Sequence, residues 1–208
     1  MLSQRDWVAN PTILSGDIGT PNSNFDNAYH VVFIDGSSTA ITGLTVLEGF
    51  HIIEGNANEN GLPNNGGGAI YHKGENGECS PFILNCKIYD NEGIFFGAVY
   101  NDGYRGISSP RIINCNFYDN ISYQFGGAIV NDGRGNGGVA GLSNSKIANC
   151  TFYNNISSSS SSAIHNEAAD GTANPTIENC ILWENGNEIH NVGAVSYTHL
   201  TLPTICSV

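Results

Sequence analysis

The sequence predicts an all-β protein whose chain winds into a coil of short parallel strands, one repeat per winding. Two observations lead there. A nine-residue phrase is written four times, as ILNCKIYDN from Ile83, IINCNFYDN from Ile112, IANCTFYNN from Ile147 and IENCILWEN from Ile177. The copies start 29, 35 and 30 residues apart, a period that belongs to repeat architectures. A second apolar stroke recurs in phase with the first: GGAIYH from Gly67, FGAVYN from Phe96, GGAIVN from Gly126 and SSAIHN from Ser161. Strokes of a few residues, with no stretch at helical period between them, leave no room for βαβ crossovers.

Within a copy, Ile112 and Cys115 are three residues apart, so a straight strand would send them to opposite faces. A left-handed bend at Asn114 resets that parity, and Asn tolerates this conformation better than most residues. Ile112, Cys115 and Phe117 then all point inward. The same bend is expected at Asn85, Asn149 and Asn179, which form an Asn ladder with amide-to-amide hydrogen bonds along the stack. Upstream, LEGFHIIEGN places Gly49 at the bend and Phe50 in the Cys position, and PTILSGDIGTP supplies an earlier coil.

One coil cannot bury its inward face alone, so each needs its neighbours. Stacking at about 4.8 Å makes three core columns: Ile83, Ile112, Ile147 and Ile177; Cys86, Cys115, Cys150 and Cys180; and Ile88, Phe117, Phe152 and Leu182. Each large buried side chain is worth about 1.5–3 kcal/mol. Five to six coils make a rod about 30 Å long. The distance from the first stroke to the next phrase is 13 residues in three copies and 18 in the third, where NDGRGNGGVAGLSNSK carries five more.

Composition agrees. The 208 residues include 28 Asn and 26 Gly, both suited to turns with positive φ. Nineteen acids against seven bases give a net charge of −12, which disfavours nucleic acid and favours cations and neutral ligands. The longest apolar stretches fall far short of a membrane span. One domain is expected over residues 1–194, a fragment of a longer protein, because the chain opens directly on strand and turn signals. Residues Val195–Thr204 read as VSYTHLTLPT, the translation of a sequencing adapter, so residues 195–208 are expected to be a non-native tail.

The paired strokes resemble a known family. GGAI at Gly126–Ile129, with FYDN at Phe117–Asn120 and FYNN at Phe152–Asn155, looks like the GGAI and FxxN repeats of polymorphic outer-membrane-protein passenger domains. NPTIENCILWEN and NPTILSGD are similar to bacterial secreted proteins of the right-handed parallel β-helix, or pectin-lyase-like, kind. The resemblance covers roughly residues 10–192. It implies a right-handed coil and export to the bacterial cell surface, with neither signal nor anchor in this fragment.

Candidate chemistry is sparse. No Cys-x-x-Cys pair suggests zinc, and parallel stacking suits disulfides poorly, so buried free thiols are expected. Asp102, Asp132 and Glu167 fall at equivalent positions; stacked near 5 Å apart they are either a calcium column, with oxygens added by Asn101, Asn131 and Asn166, or solvated carboxylates on an open loop. Asp90, Asp119 and Glu184 form a second such column. His30, His51, His72, His165 and His190 show no HExxH spacing. The NTD, DD, GHG and RIK motifs of polygalacturonase-like enzymes are absent, although Arg105 and Arg134 follow the two NDG turns. The leading expectation is therefore a non-catalytic surface scaffold for adhesion or glycan contact, needing no cofactor. The alternatives are a polysaccharide lyase or glycoside hydrolase and a purely structural stalk.

Overall fold

The computed structural model describes residues 9–21, 23–159 and 163–193. The expected tail, residues 195–208, lies outside them, as do Ser161 and Ser162 at the head of the last GGAI-like stroke. Among the described residues there is no helix, and every strand pairing is parallel. The chain winds through four sheets in turn. A complete coil runs Phe82–Leu84 (sheet I), Lys87–Tyr89 (sheet II), Glu92–Gly93 (sheet III) and Val99–Asp102 (sheet IV) before the next coil begins at Arg111–Ile113. The fold is a parallel β-helix.

Sheet I stacks Val46–Glu48, Phe82–Leu84, Arg111–Ile113, Lys146–Ala148 and Thr176–Glu178. Sheet II stacks Thr12–Ser15, Phe50–Ile53, Lys87–Tyr89, Asn116–Tyr118, Thr151–Tyr153 and Ile181–Trp183. Sheet III holds the two-residue strands Asn56–Ala57, Glu92–Gly93, Ile121–Ser122 and Ile156–Ser157. Sheet IV stacks Val32–Asp35, Ile70–Lys73, Val99–Asp102, Ile129–Asp132, Ile164–Ala168 and Ile189–Gly193. Six windings are represented, and PTILSGD is the first of them: Thr12 pairs with Phe50 and Ser15 with Ile53.

The expected bends are in place. Asn85, Asn114, Asn149 and Asn179 all have φ between 53° and 56°, and Gly49 takes the same role at 77°. Ile83, Ile112, Ile147 and Ile177 stand in register on sheet I and are buried. Ile88, Phe117, Phe152 and Leu182 stand in register on sheet II, and the Phe117 and Phe152 rings stack at 4.8 Å. The Cys column lies between these two, at the corner. Each thiol donates to the carbonyl two residues back: Cys86 to Leu84, Cys115 to Ile113, Cys150 to Ala148 and Cys180 to Glu178, at 3.2–3.4 Å. The five described cysteines are free and buried. Sheet IV closes the core with Ile70, Val99, Ile129 and Ile164, next to the stacked Ala69, Ala98, Ala128 and Ala163.

In the expected Asn ladder the Asn114-to-Asn85 amide contact is in place, and longer-running ladders with shorter contacts stand in two other columns. The Asn114, Asn149 and Asn179 side chains are exposed, and in that column the Asn114 amide reaches Asn85 only at 3.4 Å. The reason is geometric: a left-handed corner residue projects away from the coil axis. Two other Asn columns are continuous and are buried in every member but the terminal Asn191. At the second corner, Asn91, Asn120, Asn155 and Asn185 pass one Nδ2–H to the next Oδ1 at 3.0, 2.9 and 2.9 Å. The other Nδ2–H goes back to the preceding coil, at Ile52, Ile88, Phe117 and Phe152 carbonyls. On the inner face of sheet IV, Asn101, Asn131, Asn166 and Asn191 do the same at 2.8, 2.7 and 2.9 Å.

These ladders should matter more than the exposed one. Replacing Asn120 with Ala orphans buried partners on both neighbouring coils and is expected to cost about 2–3 kcal/mol. Asn114→Gly keeps the left-handed corner and should stay within about 1 kcal/mol of the parent. Urea midpoints of the two variants check this, and equal losses would contradict the assignment.

Candidate functional site

Two outward faces carry chemistry-bearing side chains, and they differ in their access to water. On sheet IV, strand alternation sends Tyr71, Tyr100, Val130, His165 and His190 outward in one row, and Lys73, Asp102, Asp132 and Glu167 in the next. This face is covered. Phe95, Phe96 and Phe125, from the segments that join sheet III to sheet IV, pack over Tyr71, Tyr100 and Val130, and the Phe96 ring stacks on Tyr100 at 4.2 Å. Asp102 and Asp132 are each 1% exposed.

The expected register of Asp102, Asp132 and Glu167 is therefore present, but they are strand-end residues and not solvated loop groups. Their oxygens are engaged by the protein. Tyr71 Oη donates to Asp102 Oδ2 at 2.7 Å, and Tyr100 Oη donates to Asp132 Oδ2 at 2.7 Å. The backbone N–H groups of Tyr104 and Arg134 close each NDG turn onto the Asp Oδ1. Gly103 is required there, since a Cβ would meet the Leu142 carbonyl oxygen at 2.2 Å. Arg134 grips Asp132 with Nε and Nη2 at 2.9 and 2.7 Å, and its Nη1 lies 3.7 Å from Glu167. After the first NDG the equivalent place is held by Tyr104, and Arg105, one residue further on, is exposed. Asn101, Asn131 and Asn166 contribute nothing to this column, because adjacent strand residues face opposite ways and these amides lie in the interior ladder. Among the described residues no group of three or more His, Cys, Asp and Glu side chains is placed to hold a metal ion.

Burial controls the titration of this face. It pushes the Asp102 carboxyl up to about 7, against the Tyr71 hydrogen bond, with the Asp132 charge adding to the rise. Burial and the neighbouring carboxylates push the Tyr71 and Tyr100 phenols well above their usual range. Glu167 is held below the ordinary carboxylate range by its contact with His165 and by Arg134. His165 Nδ1 lies 3.2 Å from His190 Nδ1. Inside the coil, His72 heads the Asn ladder: Asn101 commits its Nδ2 to Asn131, so its Oδ1 accepts from His72 Nδ1 at 2.7 Å. Burial drives the His72 imidazole down to about 4. Two thiols are equally suppressed. Contact with Cys150 and Cys86, together with burial, pushes Cys115 well above its ordinary range, and burial pushes Cys79 up to about 12.

The second face, outside sheet II, is open. Tyr89, Tyr118, Tyr153 and Trp183 stand directly over one another on successive coils. Tyr89 and Tyr118 stack at 4.5 Å, His51 meets the Tyr89 edge at 5.9 Å, and Tyr153 and Trp183 are 43% and 44% exposed. The sequence carried this signal as the seventh letter of the repeated phrase, always aromatic, but aromatic residues are also ordinary strand formers. The following residue turns each corner with positive φ: Asp90 at 53°, Asp119 at 54°, Asn154 at 50° and Glu184 at 55°, with Glu54 at 58° below them. The second expected acidic column is thus corrected in two respects. Asn154 interrupts it, donating to Asp119 Oδ1 at 2.6 Å, and Glu54 extends it. Burial, then Asp119 and Glu54, raise the Asp90 carboxyl. A cavity of about 270 Å³ opens beside its lower end, lined by Asp17, Asn27, Glu54, Asn56, Asp90 and Glu92.

The covered groups give opposite pH signatures. Asp102, with its folded value raised, contributes stability that is full below about 4 and is lost as pH rises through about 7. His72, with its value lowered, contributes stability present above about 6.5 and lost as pH falls through about 4. Relative to an Asp102→Asn variant, the parent should lose up to about 1.4 kcal/mol per pH unit between pH 4 and 7. Relative to His72→Asn, it should gain over pH 4 to 6.5. Urea titrations of the three proteins across pH 4–8 test both signs.

A scan against protein-family models finds no match to the chain, and searches of curated proteins and of solved structures likewise return none.

Proposed function

We propose that this chain is an exported β-helix scaffold of the pectin-lyase-like kind, displayed at a bacterial cell surface, that contacts glycans without cleaving them. The observation that supports this reading is the exposed aromatic stripe Tyr89–Tyr118–Tyr153–Trp183, edged by carboxylates and amides. Sugars present apolar C–H faces and hydroxyl edges, and a row of half-exposed rings beside polar side chains matches both. A helical coil would scatter these groups; in-register strands set one on each winding. The likeness of GGAI and FYDN to polymorphic outer-membrane-protein repeats supports the surface location. Among the described residues no helix is long and apolar enough to cross a membrane.

One observation favours a second reading, a polysaccharide-cleaving enzyme. Asp102 is a carboxyl raised to about 7, as a general acid requires, with Tyr71, Asp132 and Arg134 close by. It is 1% exposed, so substrate would reach it only if the structure around it opened.

Incubation with a panel of immobilised and soluble polysaccharides separates the readings. Retention without release of oligosaccharides is expected, and Tyr153→Ala with Trp183→Ala should weaken retention at least about 10-fold, in line with losing two aromatic contacts. Release of oligosaccharides that stops in Asp102→Asn would favour the enzyme. Neither retention nor release would leave a structural stalk.

A further inference from the structure

Resting on the glycan-contact reading, we propose that the sheet II face takes a polysaccharide bearing free amino groups, lying along the rod with its rings on the aromatic stripe and its ammonium groups against the corner carboxylates.

The stripe and the corner column are made by consecutive residues, so each coil sets its acid immediately beside its ring: Tyr89 with Asp90, Tyr118 with Asp119 and Trp183 with Glu184, while Ile53 with Glu54 begins the row. The left-handed corner is what makes them neighbours on the surface. In a straight strand the acid would face away from the ring before it; with φ near 55° it stays on the outside. Asp90 and Glu184 are exposed, and Glu54 and Asp119 are half-buried.

The charges facing the stripe are one-sided. Along the corner edge stand Glu54, Asp90, Asp119 and Glu184, with Asn154 the neutral member. Along the other edge stand His51, Lys87, Asn116, Thr151 and Ile181, of which Lys87 is the one permanent cation. On the neighbouring sheet I the basic side chains are engaged, Arg111 lying over the Phe82 ring at 5.2 Å and Lys146 pairing with Glu178 at 3.1 Å. Burial first, and then the neighbouring Asp119 and Glu54, raise the Asp90 carboxyl. The carboxylates of Glu54, Asp90 and Asp119, about 5 Å apart on three successive coils, with Glu184 two coils further on, favour a ligand that brings positive charge at a similar repeat. An extended chain of pyranose rings advances by about one ring per coil, so several sugars and several coils can meet at once. A polyuronate would lay carboxylates beside carboxylates, and an uncharged chain would use the rings alone.

The test compares three hexasaccharides on the full chain at about pH 6, where exposed carboxylates are ionised and sugar amines carry protons: β-1,4-linked glucosamine, its fully N-acetylated counterpart, and galacturonate. Glucosamine hexamer is expected to bind at least about 10-fold more tightly than the acetylated hexamer at low salt, a few exposed ion pairs being enough for this. That preference should shrink several-fold in 0.5 M NaCl. The triple variant Asp90→Asn, Asp119→Asn, Glu184→Gln should bind the two hexamers alike, and Tyr153→Ala with Trp183→Ala should bind neither; matching circular-dichroism spectra and urea midpoints show that each variant folds. Equal or tighter binding of the acetylated hexamer, or preference for galacturonate, overturns the amine assignment while leaving glycan contact standing. Failure of all three hexamers and of the polysaccharide panel overturns both.

Discussion

Every feature of this molecule depends on parallel pairing without slippage between windings. A parallel sheet in register sets each residue over its counterpart, so a column can be filled only with groups that tolerate contact with their own kind. Isoleucine, phenylalanine and the cysteine thiol satisfy that by dispersion and burial, and asparagine satisfies it by donating with one end and accepting with the other. Lysine and aspartate do not, and accordingly no inward column among the described residues contains either. The two buried Asn ladders make the constraint directional. In both, the Nδ2 donor faces the next winding, from Asn91 to Asn185 and from Asn101 to Asn191. A slip of one residue would break every amide contact in a ladder together, which is a far steeper penalty than the apolar columns impose.

Length variation is confined to places that leave the register untouched. The five additional residues of the third repeat fold back on themselves between sheets IV and I, with Asn136 and Val139 bridged antiparallel and Gly137 and Gly138 at φ of 62° and 80°. The chain then rejoins the stack at Leu142, which pairs with Ile107 below and Thr172 above. The insertion thus alters the surface and not the core, as expected when closing a longer loop costs little.

The inward half of the fold was legible because burial and repetition point the same way. The parity argument at Asn114 follows from two apolar residues three apart, and it carries over to Asn85, Asn149, Asn179 and Gly49. The buried ladder Asn91–Asn120–Asn155–Asn185 was equally visible as the ninth letter of each phrase, yet Asn at a corner reads first as a solvated turn. Its neighbour one position earlier, Asp90 or Asp119, is in fact the outward one. Sheet III escaped notice since two-residue strands have no period to detect. The environment of Asp102 and Asp132 could not be read at all, because it depends on Tyr71 and Tyr100 reaching them from the preceding coils and on Arg134 folding back from its turn.

Burial explains why one coil can hold two acidic columns of opposite character. A buried carboxylate is costly unless it is paired, so Asp132 has Arg134 and Tyr100, and Asp102 has Tyr71 and a carboxyl pushed up to about 7. These groups are committed to the protein. Outside sheet II no described segment folds over the rings, and Asp90 and Glu184 are exposed, with the Tyr153 hydroxyl bonded to Glu184. The distinction comes from the joining segments: those entering sheet IV carry phenylalanine over the face, while the corner between sheets I and II is a single left-handed residue with nothing to spare for a lid. The face proposed to bind is therefore the one that the coil leaves uncovered, while the strongly perturbed Asp102 lies on the face that it has sealed.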